Sequence, residues 1–281
     1  MVEGECDAVD LNLGCPQRIA RRGGYGAFLM DDLSSVESIV STLAQGLSIP
    51  VTCKIRVFPD LERTLEYARM LERAQCAMLA VHGRTRDQKD NNATRADWDA
   101  ISAVKNAVTI PVLANGNIRD LEDVRRCLEY TGADGVLSAQ SLLENPALFD
   151  EKCFQLDSTA DPLRGCRLLR EYLQLAVQHP VPNRMMKTHV YRLLGDWFSE
   201  FTDIREQLNR DRSSSFQECL NFLSSIADAV ERRIAASGRD HPIPVPIERK
   251  SAIERQERIQ AAREEQRREE ESLAEIGVKV Q

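Results

Sequence analysis

Short apolar runs at Ala8–Leu13, Pro50–Ile55, Ala77–Val81, Ile110–Ala114 and Gly135–Leu137 alternate with longer stretches in which apolar residues recur every three or four positions, as in Leu61, Leu65, Ala68 and Leu71. A strand followed by an amphipathic helix, repeated five times, predicts a parallel sheet covered by helices. Polar residues follow each run directly: Asn12-Leu13-Gly14-Cys15-Pro16, Lys54-Ile55-Arg56, His82-Gly83-Arg84, Asn115-Gly116-Asn117 and Ser138-Ala139-Gln140. In a β/α barrel such positions line the C-terminal rim, where active sites are built. A full barrel needs eight units over about 250 residues. The predicted fold class is therefore α/β, an incomplete TIM (β/α)8-type barrel of five units, in a chain expected to begin in mid-barrel as an N-terminally truncated form. Unpaired sheet edges would then favour association. An open doubly wound sheet with its ligand at a switch point is the alternative. The barrel is preferred because the polar motif recurs after every strand.

From about Pro162 the period becomes purely helical. Stripes at Leu168, Leu169, Tyr172, Leu173 and Ala176, at Val190 through Phe201, and at Phe216 through Ile234 predict a small antiparallel bundle. His179-Pro180-Val181-Pro182 separates the first two, because proline cannot continue a helix. The expected domains are 1–157, a partial barrel; 158–238, the helical bundle; and 239–281, a proline-rich linker and charged tail. In that tail, pairs such as Glu254 with Arg258 would support a solitary, partly disordered helix. With 42% hydrophobic and 29% charged residues, wholesale disorder is excluded. No apolar stretch reaches the roughly 18 residues of a membrane span, and no signal peptide is legible at Met1-Val2-Glu3-Gly4-Glu5, so a cytoplasmic location is expected, with a nuclear one left open. Net charge is −7, carried almost wholly by residues 1–157 with 17 Lys and Arg against 24 Asp and Glu, so any contact with a polyanion must be made by local arginine clusters. The eight cysteines include no Cys-x-x-Cys pair, so neither a metal site nor a disulfide framework is expected.

Five segments taken together resemble one family. Asp10-Leu11-Asn12-Leu13-Gly14-Cys15-Pro16 with Arg21-Arg22-Gly23-Gly24-Tyr25-Gly26-Ala27-Phe28-Leu29, then Val51–Arg56, Val81–Arg86, Pro111–Ile118 and Asn145–Phe149, are similar in content and order to the tRNA-dihydrouridine synthases. These are flavoenzymes that reduce uridine in tRNA. The resemblance covers residues 5 to about 235 and is strongest to the eukaryotic branch acting on uridines 16 and 17 of the D-loop. It implies bound FMN, NADPH as a transient reductant, tRNA as partner, and strands corresponding to the fourth to eighth of the family's barrel. Two other readings stay open: a relative that binds tRNA without turnover, and a small-molecule pyrimidine flavin reductase, against which the helical region with Arg184 and Lys187 argues.

A cysteine is ordinarily a small buried hydrophobe, which suffices for Cys53, Cys76 and Cys127. Cys15, in a sharp turn between Gly14 and Pro16, differs. An ordinary thiol, with a pKa near about 8.5, is protonated at neutral pH and can deliver a proton. The resemblance assigns it the protonation of uridine C5 while hydride goes to C6. Lys54, His82 and Arg84 are the candidates for the flavin. Asn115, Gly116 and Asn117, with the backbone of Ala139 and Gln140, are candidates for its phosphate. A glycine–arginine pair often found in the family is Ala139-Gln140 here, which shifts that duty toward backbone amides and Arg84. Asn12, Arg18, Arg21 and Arg22 near the cysteine, and Arg184, Lys187 and Arg192 in the helical part, are candidates for tRNA, against the ordinary alternative of solvated surface charge. Asn145-Pro146 reads as the start of a helix.

Overall fold

The computed structural model describes residues 3–88, 95–150 and 161–238. Five strands, β1 (Val9–Asn12), β2 (Val51–Arg56), β3 (Met78–His82), β4 (Val112–Asn115) and β5 (Gly135–Leu137), form one sheet in the order 1-2-3-4-5. The pairs β1–β2, β2–β3 and β3–β4 are parallel. Serial order without reversal leaves no switch point among these strands, which removes the doubly wound alternative. The described residues divide into two compact units. The first comprises those up to 117 together with 131–134, and the second 118–130 together with those from 135 onward. The expected linker and charged tail, 239–281, lie outside the described residues.

In the first unit, helices α1 (Arg18–Gly23), α2 (Leu33–Gly46), α3 (Leu61–Arg73) and α4 (Trp98–Ala107) connect the strands, with a 3-10 helix at Gly26–Asp31. Three of them start on an aspartate that accepts from a first-turn amide: Asp32 from Ser35, Asp60 from Glu62 and Asp97 from Ala100. Tyr67, Ala68 and Leu71 of α3, Val36 and Val40 of α2, and Ile101 and Val104 of α4 are buried. So are Val51, Cys53, Ile55, Leu79, Val81, Val112 and Ala114, alternate strand residues that share one face of the sheet.

The second unit holds all but the last residue of α5 (Leu121–Thr131), then β5 and a short α6 (Gln140–Glu144), and continues as α7 (Arg164–Gln178), α8 (Asn183–Leu193), α9 (Gly195–Phe198), α10 (Thr202–Arg210) and α11 (Phe216–Ser237). Its helical core joins Leu169 and Leu173 to Met186, Val190, Leu194, Trp197, Phe198, Phe201, Ile204, Leu208, Leu223, Ile226 and Val230. Ser215 and Glu218 close a reciprocal capping box at the start of α11, and Gly238, at φ 62°, ends it in the left-handed conformation glycine favours.

Three expectations are corrected. The stripe from Val190 to Phe201 is not one helix, because the backbone turns at Leu194 before Gly195, a residue costly inside a helix. Helix α10 had no stripe of its own, since only Ile204 and Leu208 of its nine residues are buried. Asn145 closes α6 instead of opening a helix. Its amide donates to Ser141 O at 2.7 Å, and a turn follows in which Leu148 N donates to Asn145 O.

Candidate functional site

The parallel register sorts polar from apolar. Asn12 lies beside Lys54, which lies beside Ala80 and then Leu113; one step along the strands, Arg56, His82 and Asn115 form a second row, and Asp10 with Thr52 and Met78 a third. Paired residues in a sheet share a face, so these rows occupy the side opposite Cys53, Ile55, Leu79 and Val81. One face of the sheet is thus a helix-covered core, and the other carries the polar candidates near the C-terminal strand ends.

Lys54 is half-buried on this face and, among the described residues, forms no ion pair. Asp10 accepts instead from Thr52 Oγ1 at 2.7 Å. Burial, reinforced by the neighbouring Arg56 and partly offset by Asp10, lowers the Lys54 ammonium to about 8. The ion pair with Asp10 that would have given Lys54 a purely structural role is not made.

His82 is the next group in the row. Arg84 Nη1 lies 3.0 Å from its Nε2. A guanidinium can only donate, so Nε2 accepts and the ring proton sits on Nδ1. The imidazole is accordingly neutral, held down to about 2 by burial and then by Arg56, Lys54 and Arg84. Arg84 is buried and also donates from Nη2 to Asn117 Oδ1 at 3.1 Å. Asn117, at φ 62°, accepts a further bond from Ala96 N. Glycine is required twice in this clasp. A Cβ on Gly83 would stand 2.6 Å from Asp97 O, and one on Gly116, at φ 116°, would stand 2.5 Å from the Ala96 side chain and 3.1 Å from the His82 ring.

Cys15 lies half-buried in the loop after β1. Asn12 Oδ1 accepts from Gly14 N at 3.2 Å, an Asx turn that bends the chain into this loop. Cys15 O accepts from Ala27 N at 3.0 Å, and Gly26, at φ 63°, leaves room where a Cβ would meet that oxygen at 2.7 Å. The loop is tied to β2 by Leu13 N donating to Lys54 O at 2.9 Å.

Asn12, Cys15, Lys54, His82, Arg84, Asn115, Gly116 and Asn117 therefore fall in one unit, on or beside the polar face. Arg18, Arg21 and Arg22 are exposed on α1 of the same unit. Ala139 caps α6 and Gln140 donates to Glu144 Oε1 at 3.0 Å, both in the second unit. On α8, Arg184 and Arg192 are exposed, whereas Lys187 Nζ pairs with Asp211 at 2.8 Å. Arg56 was not among the expected site residues. Its clue was its two-residue offset from Lys54, which puts both on one face. Among the described residues no helix is long and apolar enough to cross a membrane, and no cluster of His, Cys, Asp and Glu suited to a metal ion occurs.

Two desolvated cations, Lys54 and Arg56, thus stand on one face of a parallel α/β sheet near its strand ends, and the loop that carries Cys15 is tied to the same strand. The family profile described as Dihydrouridine synthase (Dus) matches residues 1–233, and the chain belongs to that family. It is 46% identical over 233 residues to a tRNA-dihydrouridine(16/17) synthase-like protein of Rattus norvegicus, covering 83% of this chain and 50% of that one. Proteins named tRNA-dihydrouridine(16/17) synthase from Schizosaccharomyces pombe and Saccharomyces cerevisiae are 42% and 40% identical, covering 72% and 74% of this chain and 52% and 50% of theirs. The chain thus spans about half the length of the relatives it matches. Among solved structures, a phosphonopyruvate hydrolase aligns over 83% of this chain and 87% of its own at 15% identity and a TM-score of 0.42, too slight a likeness to bear on the fold.

Proposed function

We propose that this chain carries the active-site portion of an FMN-dependent, NADPH-driven enzyme that reduces uridine to 5,6-dihydrouridine in the D-loop of cytoplasmic tRNA, at positions 16 and 17, on a barrel-type scaffold. The family and the names of its relatives, which carry dihydrouridine(16/17) and NAD(P)(+), support the substrate and the reductant. The observation that carries the reading is the polar face. A desolvated lysine that forms no ion pair among the described residues and a neutral histidine stand on adjacent rows beside the cysteine loop.

These residues fit the flavin. Lys54, charged at neutral pH, would hold the electron-rich edge of the ring. His82 would offer its Nδ1 proton to a carbonyl or ring nitrogen, since its Nε2 is taken by Arg84. Gly116 packs closely against Ala96 and the His82 ring, and Arg84 donates to Asn117 Oδ1, so this clasp would hold the His82 ring in place beside the flavin. When bound, FMN supplies the hydride for uridine C6. Cys15 donates its thiol proton to C5, and the Asx turn from Asn12 together with the Ala27 amide holds its backbone while it does so. A uridine in a folded D-loop must leave its stack to reach a sheet face, and Arg18, Arg21 and Arg22 would grip the phosphates beside it.

The test is purification of the 281-residue chain, measurement of its flavin absorbance, and assay of D-loop dihydrouridine by mass spectrometry of digested tRNA with NADPH present. Yellow protein that forms dihydrouridine at 16 and 17 is expected. Flavin-free protein that still binds tRNA would favour the binding-only reading.

A further inference from the structure

Arg56 ends β2 in the same row as His82, yet it is only 7% exposed and, among the described residues, faces no carboxylate. Among the described residues it makes no ion pair and donates to backbone alone. Its Nε donates to Gly14 O at 2.9 Å, and its Nη1 to Thr85 O at 2.9 Å and Gln88 O at 3.1 Å. Gly14 immediately precedes Cys15, while Thr85 and Gln88 belong to the segment that follows His82 and Arg84. A buried guanidinium is costly, and burial accordingly pulls its acidity in the direction of the neutral form. What it gains is a rigid fork whose donors diverge in one plane, which lets a single side chain hold two loops at once; a lysine ammonium lacks that geometry.

A second tie runs parallel to it. Arg86, from the same segment, pairs with Asp31 at 2.6 Å and lies over the Phe28 ring at 5.2 Å. Both partners belong to the 3-10 helix Gly26–Asp31, whose Ala27 amide holds Cys15 O. The backbone on either side of the Cys15 side chain is therefore fastened to the segment after β3, before it through Arg56 and after it through Arg86.

We propose that Arg56 is a positioning residue for Cys15, with Arg86 as an outer strut, so that the thiol's place relative to Lys54 and His82 is set by the segment after β3 and not by the Cys15 loop alone. Its consequence for turnover rests on the reading of Cys15 as proton donor; its consequence for thiol reactivity does not. The experiment uses the full 281-residue chain with Arg56→Lys, Arg56→Met and Arg86→Met, each checked for folding by urea titration. Alkylation by iodoacetamide is followed across pH by peptide mass spectrometry, which separates Cys15 from the seven other cysteines. In folded Arg56→Lys the Cys15 rate should change by roughly fivefold or more and its pH profile should move, because thiol reactivity follows local charge and access. Cys6 and the core thiols should react as in the unsubstituted chain. Arg86→Met should act in the same direction by less, and kcat for dihydrouridine should fall at unchanged KM for tRNA. A folded Arg56→Lys protein with unaltered Cys15 rate and profile overturns the proposal. If both Arg56 variants fail to fold, Arg86→Met decides, and unaltered Cys15 reactivity there overturns it equally. Absence of dihydrouridine formation by the unsubstituted chain would sink the functional reading and leave the alkylation result to decide the role of Arg56.

Discussion

At the scale of single residues, the site works through how each polar group is partnered. Cys15→Ala should lower dihydrouridine formation by about 10²-fold or more, the usual worth of a positioned general acid, while flavin content stays the same. Loss of the flavin in that variant would mean that Cys15 holds the cofactor. The Lys54 ammonium, lowered from 10.5 to about 8 chiefly by burial, makes a signed prediction. The folded state binds fewer protons than the unfolded chain between those two values, so stability should rise with pH across that window and be insensitive to Lys54 below about 8. On the proposed placement of the flavin beside Lys54, affinity for FMN should run the other way, falling above about pH 8 as the ammonium charge is lost. A fluorescence titration of FMN at about pH 7 and about pH 9.5, on either side of that value, reads this directly, and Lys54→Met should bind more weakly with no comparable pH dependence. His82, held neutral by burial and three cations, should add no break of its own between about pH 5 and 8.

At the scale of elements, close backbone approach decides which substitutions are tolerated. In Gly83→Ala the new methyl would meet Asp97 O at 2.6 Å and Asp97 N at 2.8 Å, and both are backbone atoms that cannot swing away. Overpacking of this kind should cost about 1–3 kcal/mol and loosen the loop on which Arg84 is mounted. Gly46→Ala, in the last turn of α2 with nothing within 4 Å, is the matched control and should be neutral or stabilising by up to about 1 kcal/mol. Urea unfolding of the two variants separates these outcomes, and equal midpoints would show that Gly83 is not held against Asp97. In the helical unit, Leu169→Ala should cost about 2–5 kcal/mol, because a fully buried leucine leaves a cavity among Met186, Leu194 and their neighbours.

At the scale of the whole molecule, an acidic chain can bind RNA only through cations that its own carboxylates leave available. Arg184 and Arg192 are exposed and, among the described residues, form no ion pairs, whereas Lys187 is bound to Asp211, whose side chain is only 8% exposed. If the helical part grips tRNA, alanine at Arg184 and Arg192 should flatten the dependence of log affinity on log salt by roughly 0.7–0.9 for each phosphate that is no longer neutralised. Lys187→Ala should leave that slope alone and cost about 1–3 kcal/mol of stability, since it removes the cation from the buried Asp211 Oδ2 while Ser213 holds only Oδ1. Filter binding across a salt series, beside urea titrations of the same variants, distinguishes a phosphate-binding cation from an internal strut. A Lys187 variant with a flattened slope and full stability would reverse that assignment.

Much of this was written in the sequence. The short apolar runs placed all five strands, because the strands of a parallel sheet packed against helices are largely apolar. The prolines at 180 and 182 set the break between α7 and α8. The motif Asn12–Pro16 marked Cys15 in a way its six buried or exposed fellows among the described residues did not match. Alternation also put Lys54 and Arg56 on one side of β2. What it could not give was the partnering. Which of Asp10, Thr52 and Lys54 would join depended on the stagger of β1 against β2, and the neutrality of His82 depended on its burial beside Arg56 and Lys54, with an arginine two residues away folding back onto its ring. The role of Arg56 lay further still from the sequence, since its acceptors are carbonyl oxygens, which every residue carries and no pattern of side chains reveals. Local periodicity determines which face a residue occupies; only the assembled backbone determines which atoms it meets there.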